Sequence, residues 1–161
     1  MIVRVVEERD FDAIAAITNP YILETSIHFA SEPVSGDELR DHWVEGRDRY
    51  PMFVAEVDGV VLGYAKSSSF RARAAYAGTA ELGVYVDRRH HRRGIARALY
   101  EALIPACRER GFVVLVAGVA LPNDASVVLH EGLGFVPVGV FHRVGYKFGQ
   151  FHDVGFWELA L

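Results

Sequence analysis

The chain has 161 residues, 51% of them apolar, with 17 basic and 21 acidic side chains and a net charge of −4. That is enough chain for a single domain over residues 1–161 with a full core, and it is too apolar to be disordered. The acidic balance counts against a nucleic-acid partner, and the single Cys107 excludes an internal disulfide or a thiolate pair for a metal; with no leader segment and no apolar run of membrane-spanning length, a cytoplasmic protein is expected.

Ile2 to Val6 predicts a short strand. Asp10 is placed to cap a helix over about residues 11–23, with Phe11, Ile14, Ile17 and Ile22 on its apolar positions. Asn19-Pro20 predicts a bend or an end of that helix, because proline lacks the N–H and crowds the preceding turn. Glu24 to Pro33 reads as a loop carrying Phe29. Ser35-Gly-Asp-Glu38 is a capping box that opens a helix to about Tyr50. Met52 to Val57, Asp58-Gly59 and Val60 to Ser69 spell a β-hairpin. Phe70 to Thr79 is less regular and holds Arg71, Arg73 and Tyr76.

Leu82 to Val86 is a strand, with the carboxylate of Glu81 just upstream. Arg88 to Arg93 then lead through Gly94 into a helix to about Arg110, with Ile95, Leu99, Ala102 and Leu103 on one face. Pro105 predicts a kink in it and Gly111 its end. A basic, glycine-containing turn from strand to helix suits a phosphate, because the first helical turn has free N–H donors at the positive end of the dipole. Gly94 adds no Cβ to hold a pyrophosphate off. A solvated surface run is the other reading of the same residues. Phe112 to Val119 reads as a strand buried on both faces. Pro122 to Ser126 lead into a short helix through Glu131. Phe135 to Val144 and Val154 to Leu161 are closing strands with Gly149 at the bend. The order gives a mixed α/β sheet with helices on both faces.

Gly94-Ile95-Ala96, with a polar residue three before the glycine, resembles the coenzyme A loop of the GNAT acetyltransferases, Gln/Arg-x-x-Gly-x-Gly/Ala, with His91 in the leading position. The element order matches that fold too, a mixed and mostly antiparallel sheet. Within it the chain resembles the phosphinothricin N-acetyltransferases. The resemblance rests on Thr25-Ser26 with Phe29, Glu32-Pro33, Tyr50-Pro51, Ala55 to Gly59 and Arg71-Ala-Arg73 with Tyr76. It continues through Thr79-Ala-Glu81, Val84-Tyr-Val86, Leu121-Pro-Asn-Asp124 with Ser126, His130-Glu131, Leu133-Gly-Phe135 and His152 to Trp157. The chain departs from the pattern at His91, Ala96, Gly83, Phe70 and Phe151.

The resemblance implies an acetyl-CoA-dependent N-acetyltransferase acting on a small amino acid such as phosphinothricin or methionine sulfoximine, and a homodimer. Such a transfer needs a base for the protonated amine, and Glu81 is the candidate, directly or over a water. Without the resemblance, Glu81 reads as a strand-end carboxylate or an arginine's ion-pair partner. The backbone of Val84, Tyr85 and Val86 would hold the pantetheine arm, and an N–H there would polarise the thioester. The N–H groups from Arg92 and Arg93 through Gly94, Ile95, Ala96 and Arg97 would hold the pyrophosphate, with the side chains of Arg92, Arg93 and Arg97 adding charge or facing solvent. Asn123 would bond the cofactor arm, cap a helix, or do both. His130 is a candidate for acceptor positioning or proton transfer, or a structural histidine.

Arg71 and Arg73, two apart, would share one face of an extended segment and grip an anionic group on the acceptor, or else be plain surface arginines. Phe29, Tyr76 and Gly83 would border that pocket. No metal is expected: among seven histidines only His90 and His91 are close, and neighbours rarely share a ligand face. A protein amino-group acetyltransferase and a non-catalytic acyl-CoA-binding module are the competing readings.

Overall fold

The computed structural model describes residues 1–161. Its strands are β1 (Ile2–Val5), β2 (Met52–Val57), β3 (Val60–Ser69), β4 (Thr79–Val86), β5 (Val114–Ala120), β6 (Val136–Lys147) and β7 (Gln150–Ala160). Its helices are α1 (Phe11–Glu24), α2 (Gly36–Gly46), α3 (Ile95–Glu109) and α4 (Asp124–Gly132). The seven strands make one sheet in the order β1-β2-β3-β4-β5-β7-β6. All neighbours are antiparallel except β4 and β5. The mixed α/β expectation is met.

Alternation along β4 sorts the two faces. Ala80, Leu82 and Val86 pack with Leu99, Tyr100 and Leu103 of α3 in the larger core. Tyr85 turns the other way, onto Tyr21 of α1 and Tyr64 of β3, beside the smaller core of Phe11, Ile14 and Ile17. Glu81 and Gly83, at the same parity as Tyr85, therefore lie on the α1 side.

Several boundaries follow from local chemistry. Asp58 and Gly59 both have positive φ (51° and 80°), as a two-residue hairpin turn requires. Phe148 and Gly149 (52° and 72°) repeat that turn between β6 and β7. These two strands run longer than the sequence predicts, because the polar stretch around His152 pairs across the hairpin. Ser35 Oγ accepts from Glu38 N at 3.1 Å and Glu38 accepts from Ser35 N at 2.8 Å, so the capping box forms. Gly111, at φ 81°, ends α3, and Phe112 N reaches back to the Cys107 carbonyl.

Three expectations are corrected. Asp10 does not cap α1 with its side chain. It is buried and takes two bonds from the Arg4 guanidinium (2.7 and 2.8 Å), which also holds Glu56 at 2.6 Å. Pro20 neither ends nor interrupts the assigned span of α1, which continues to Glu24. Burial of Tyr21 and Ile22 just beyond it offsets the lost helix bond. Asn19 faces outward from that turn and pairs both ways with the Val34 backbone at 2.9 Å, tying the loop before α2 to α1. Finally, α2 ends at Gly46, four residues short of Tyr50, and its last residues give way to a turn.

Candidate active site

The parallel pairing of β4 and β5 covers only Thr79–Glu81 against Val114–Val116. Beyond it β5 stays paired to β7 as far as Ala120. β4 stays with β3, so the two central strands separate. Asp87 N donates to the Leu62 carbonyl on the β3 side. By the antiparallel alternation, the N–H groups of Val84 and Val86 then point into the gap. The gap is a cleft of about 680 Å³ with Leu82–Val86 on one wall and Gly118–Ala120 on the other. The turn before α3 and the helix α4 close its ends.

That turn is built for an anion. Arg92 and Gly94 have positive φ (60° and 76°), and α3 begins at Ile95. Ala98 N is the first to bond back, to the Gly94 carbonyl, which leaves the N–H groups of Ile95, Ala96 and Arg97 free at the helix start. The basic run divides its labour. Arg88 is paired with Glu24, and Arg89 with Asp87, whose carboxyl this guanidinium pulls down to about 2. Arg97 spends its side chain on the Gly132 carbonyl (2.9 Å) and Glu101, leaving only its backbone for a ligand. Arg92 and Arg93 are exposed, and only Arg92 borders the cleft. His91 turns inward: its Nε2 lies 2.7 Å from the Tyr21 hydroxyl, which donates to the Val86 carbonyl at 2.6 Å. The turn is thereby tied to the end of β4. Ile95 is buried in the core, and Ala96 lines the cleft.

Glu81 lies in β4 rather than upstream of it, opposite Val116. A Cβ at Gly118 would stand 3.5 Å from Glu81 Oε1, an ordinary contact, so the carboxylate lies beside the cleft wall. No ion pair or hydrogen bond engages that carboxylate within the chain, so the arginine ion pair that its sequence also allows does not form. Burial lifts its pKa above the ordinary carboxylate range, against the charges of Lys66 and Arg71. Tyr85 packs as core among Tyr21, Tyr64 and His28, and burial pushes its hydroxyl up to about 12.

Asn123 caps α4, accepting from Ser126 N at 3.2 Å, and also lines the cleft. His130 is 3% exposed, with Nδ1 2.7 Å from the Ser126 carbonyl and Nε2 3.2 Å from the Tyr100 hydroxyl. A carbonyl can only accept, so Nδ1 carries the proton and Nε2 accepts from Tyr100. Burial holds the imidazole pKa low. This packing puts His130 on the α3 side of the sheet, among Tyr100 and Phe135.

Arg71 rests on Phe70 and Tyr76, 5.0 and 6.0 Å from their ring centres, and its charge reaches Glu81. Arg73 opens the helical turn Ala74–Tyr76, and Ala72 and Arg73 bend, so the segment is not the extended one that would align the two arginines. Phe29 packs on His152 and over Gly145 of β6, at the other rim. At Gly83 a Cβ would find its nearest neighbour, the Tyr85 ring, at 3.8 Å, so the position is open.

Sequence reasoning missed Tyr21, Gly118, Lys66 and Lys147. The Lys147 ammonium is buried and donates to the carbonyls of Ile22 (2.6 Å) and His28, fastening the loop after α1 to β6. No group of three or more His, Cys, Asp or Glu side chains is arranged to hold a metal, and no helix is long and apolar enough to cross a membrane.

Known proteins share this arrangement. Residues 3–155 match the family described as Acetyltransferase (GNAT) domain. The chain is 44% identical over 149 residues to a phosphinothricin N-acetyltransferase of Streptomyces viridochromogenes, covering 92% of this chain and 81% of that one. It is 37% identical over 163 residues to an L-methionine sulfoximine/L-methionine sulfone acetyltransferase of Salmonella typhimurium, covering 100% and 95%. An acetyltransferase from Salmonella typhimurium, solved with its cofactor acetyl-CoA, superposes with a TM-score of 0.96 at 34% identity over 99% of this chain and 93% of that one. A ribosomal-protein-alanine N-acetyltransferase from Brucella melitensis superposes at 0.95 with 37% identity over the full length of both.

Proposed function

The chain belongs to the GNAT acetyltransferase family, and we propose that it transfers the acetyl group of acetyl-CoA to the α-amino group of a small amino acid carrying a second anionic or strongly polar group. The observation that carries this reading is the pairing of an unengaged carboxylate, Glu81, with the open β4–β5 wedge. Pantetheine lies along the wedge on the N–H groups of Val84 and Val86, and the pyrophosphate sits on the turn from Arg92 to Arg97. The thioester then lies next to Glu81. The ammonium gives one proton to Glu81, directly or over a water, and the neutral amine attacks the carbonyl. As the tetrahedral intermediate collapses, the C–S bond breaks and the nitrogen's second proton leaves with the thiolate. His130, with both ring nitrogens engaged, is assigned to shaping the cleft wall rather than to moving a proton.

The acceptor class rests on the relatives that act on phosphinothricin and methionine sulfoximine, and on the cationic groups around Glu81. Arg71 is held on two rings within reach of Glu81's charge; Arg73 has no such anchor. A charge-assisted hydrogen bond is worth roughly 1.5–3 kcal/mol, so Arg71→Ala lowers kcat/KM for an anionic acceptor about ten- to a hundredfold. Arg73→Ala costs less than Arg71→Ala. Thiol release from acetyl-CoA, measured with phosphinothricin, methionine sulfoximine and a lysine-bearing peptide, is the test. The Brucella relative makes protein amino groups the second reading, and faster turnover of the peptide would establish it instead.

A homodimer is proposed through β6. The sequence offers no exposed apolar helix face, but this edge strand leaves Val136, Val138, Val140, Phe141 and Val144 exposed. An open apolar edge strand needs a cover. Val138→Lys with Val140→Lys gives a monomer in sedimentation; a wild type already monomeric removes the idea.

A further inference from the structure

Lys66, whose charge reaches Glu81, has been given no ligand of its own. It sits on β3 opposite Gly83, with Ser68 opposite Glu81 on the same face. That makes Lys66 and Glu81 diagonal neighbours across two antiparallel strands, a separation that a long side chain spans. Yet no nitrogen–oxygen contact within 4.0 Å joins them, and the half-buried Lys66 ammonium makes no hydrogen bond within the chain. The position between them is Gly83, with no side chain, where a Cβ would meet only the Tyr85 ring, at 3.8 Å. A cation and a carboxylate thus lie on one face of the sheet, diagonal across Gly83, without pairing.

Other groups around the gap deepen the asymmetry. Arg71 acts on Glu81 from the rim; His28, tilted against Tyr85 at 5.7 Å, feels both Lys66 and Lys147. Lys147 is committed to two carbonyls and Arg71 to two rings. Lys66 is the uncommitted cation. It also lines a second cavity, of about 450 Å³, with Trp43 of α2, Tyr50 and Ser69. Burial pushes its ammonium below the ordinary lysine range, and Glu81 holds it up. The half-buried ammonium has no partner within the chain and is free to meet a ligand anion.

We propose that Lys66 anchors the α-carboxylate of the acceptor amino acid, which lies over Gly83 with its amine at Glu81, and so selects free α-amino acids. In an α-amino acid the ammonium and carboxylate are one carbon apart, so a zwitterion bridges the Glu81–Lys66 gap with each charge on its complement. The second cavity is the approach from which the acceptor reaches it. Arg71 is left for the acceptor's side-chain anion, which separates the two cations by role. This assignment rests on the amino-acid acetyltransferase reading above.

The test compares methionine sulfoximine with its α-carboxamide, using kcat/KM for wild type, Lys66→Met and Lys66→Arg. The intrinsic difference between the two amines cancels when the acid-to-amide ratio is compared between proteins. That ratio falls about ten- to a hundredfold in Lys66→Met and is partly restored in Lys66→Arg. A structural role would lower both substrates alike and leave the ratio where it was; that outcome overturns the assignment while leaving the proposed function standing. If wild type turns over no free α-amino acid, the proposed function fails and the assignment with it. Acetyl-CoA affinity by calorimetry, which Lys66 does not touch, reports whether each variant is folded. Should Lys66→Met be unfolded, Lys66→Arg carries the test, and an unchanged ratio there with lowered turnover of both substrates counts against the anchor.

Discussion

Glu81→Gln is expected to lower kcat by about 10²–10⁴-fold near neutral pH, the usual worth of a positioned general base. Glutamine keeps the shape beside Gly118 and removes the basicity. The pH profile carries a second signature. Burial raises the Glu81 pKa, so activity falls with decreasing pH along a limb displaced upward from the ordinary carboxylate range. In Glu81→Gln that limb disappears. Stability moves the other way. A carboxyl whose pKa is raised by folding contributes stability below its unfolded value and loses it as pH rises through the folded value. At neutral pH the ionised Glu81 is therefore a cost to the fold, and Glu81→Gln melts at or above the wild-type temperature. Slow turnover in a protein no less stable than wild type would identify chemistry rather than folding as the loss. A variant with near-wild-type kcat, while chemistry limits the rate, would sink the assignment.

What could be read in advance was whatever is local. The Asp58-Gly59 turn, the Ser35–Glu38 box and the Gly111 stop each depend on residues within a few positions of one another, and all three form. The turn at Gly94 was legible for the same reason. Residues whose partners lie far off in the chain were not. Arg97 looks like one more phosphate-facing cation until the end of α4 meets it, 35 residues on. The wedge itself needs to be seen as a pairing: β4 and β5 read as ordinary strands, and only the departure of β5 toward β7 shows where they part. Lys66 is the extreme case. In sequence it is one polar residue in a hairpin strand, and it gains meaning only from a register that sets it opposite Gly83 and diagonal to Glu81.

The second large effect is expected at Gly94, where two demands on one residue can be separated. Its φ of 76° is one that a β-branched residue adopts only under strain, and a Cβ there would meet no protein atom within 4 Å. The space in front of it belongs to whatever the N–H groups of Ile95 to Arg97 bind. Gly94→Val strains the turn and Gly94→Trp fills the space; both should weaken acetyl-CoA binding by about a hundredfold or more, as one or two charged hydrogen bonds of roughly 1.5–3 kcal/mol each are lost. Gly94→Asn tells the causes apart, because asparagine tolerates the left-handed conformation while still carrying a Cβ. If close approach of the pyrophosphate is the requirement, Asn binds nearly as poorly as Trp, and the melting temperature stays near wild type. If only the turn matters, Asn binds nearly as well as glycine while Val does not. Calorimetry with acetyl-CoA reads all three. Undiminished affinity in Gly94→Trp would mean that the pyrophosphate lies elsewhere, and with it the cofactor's path along the wedge.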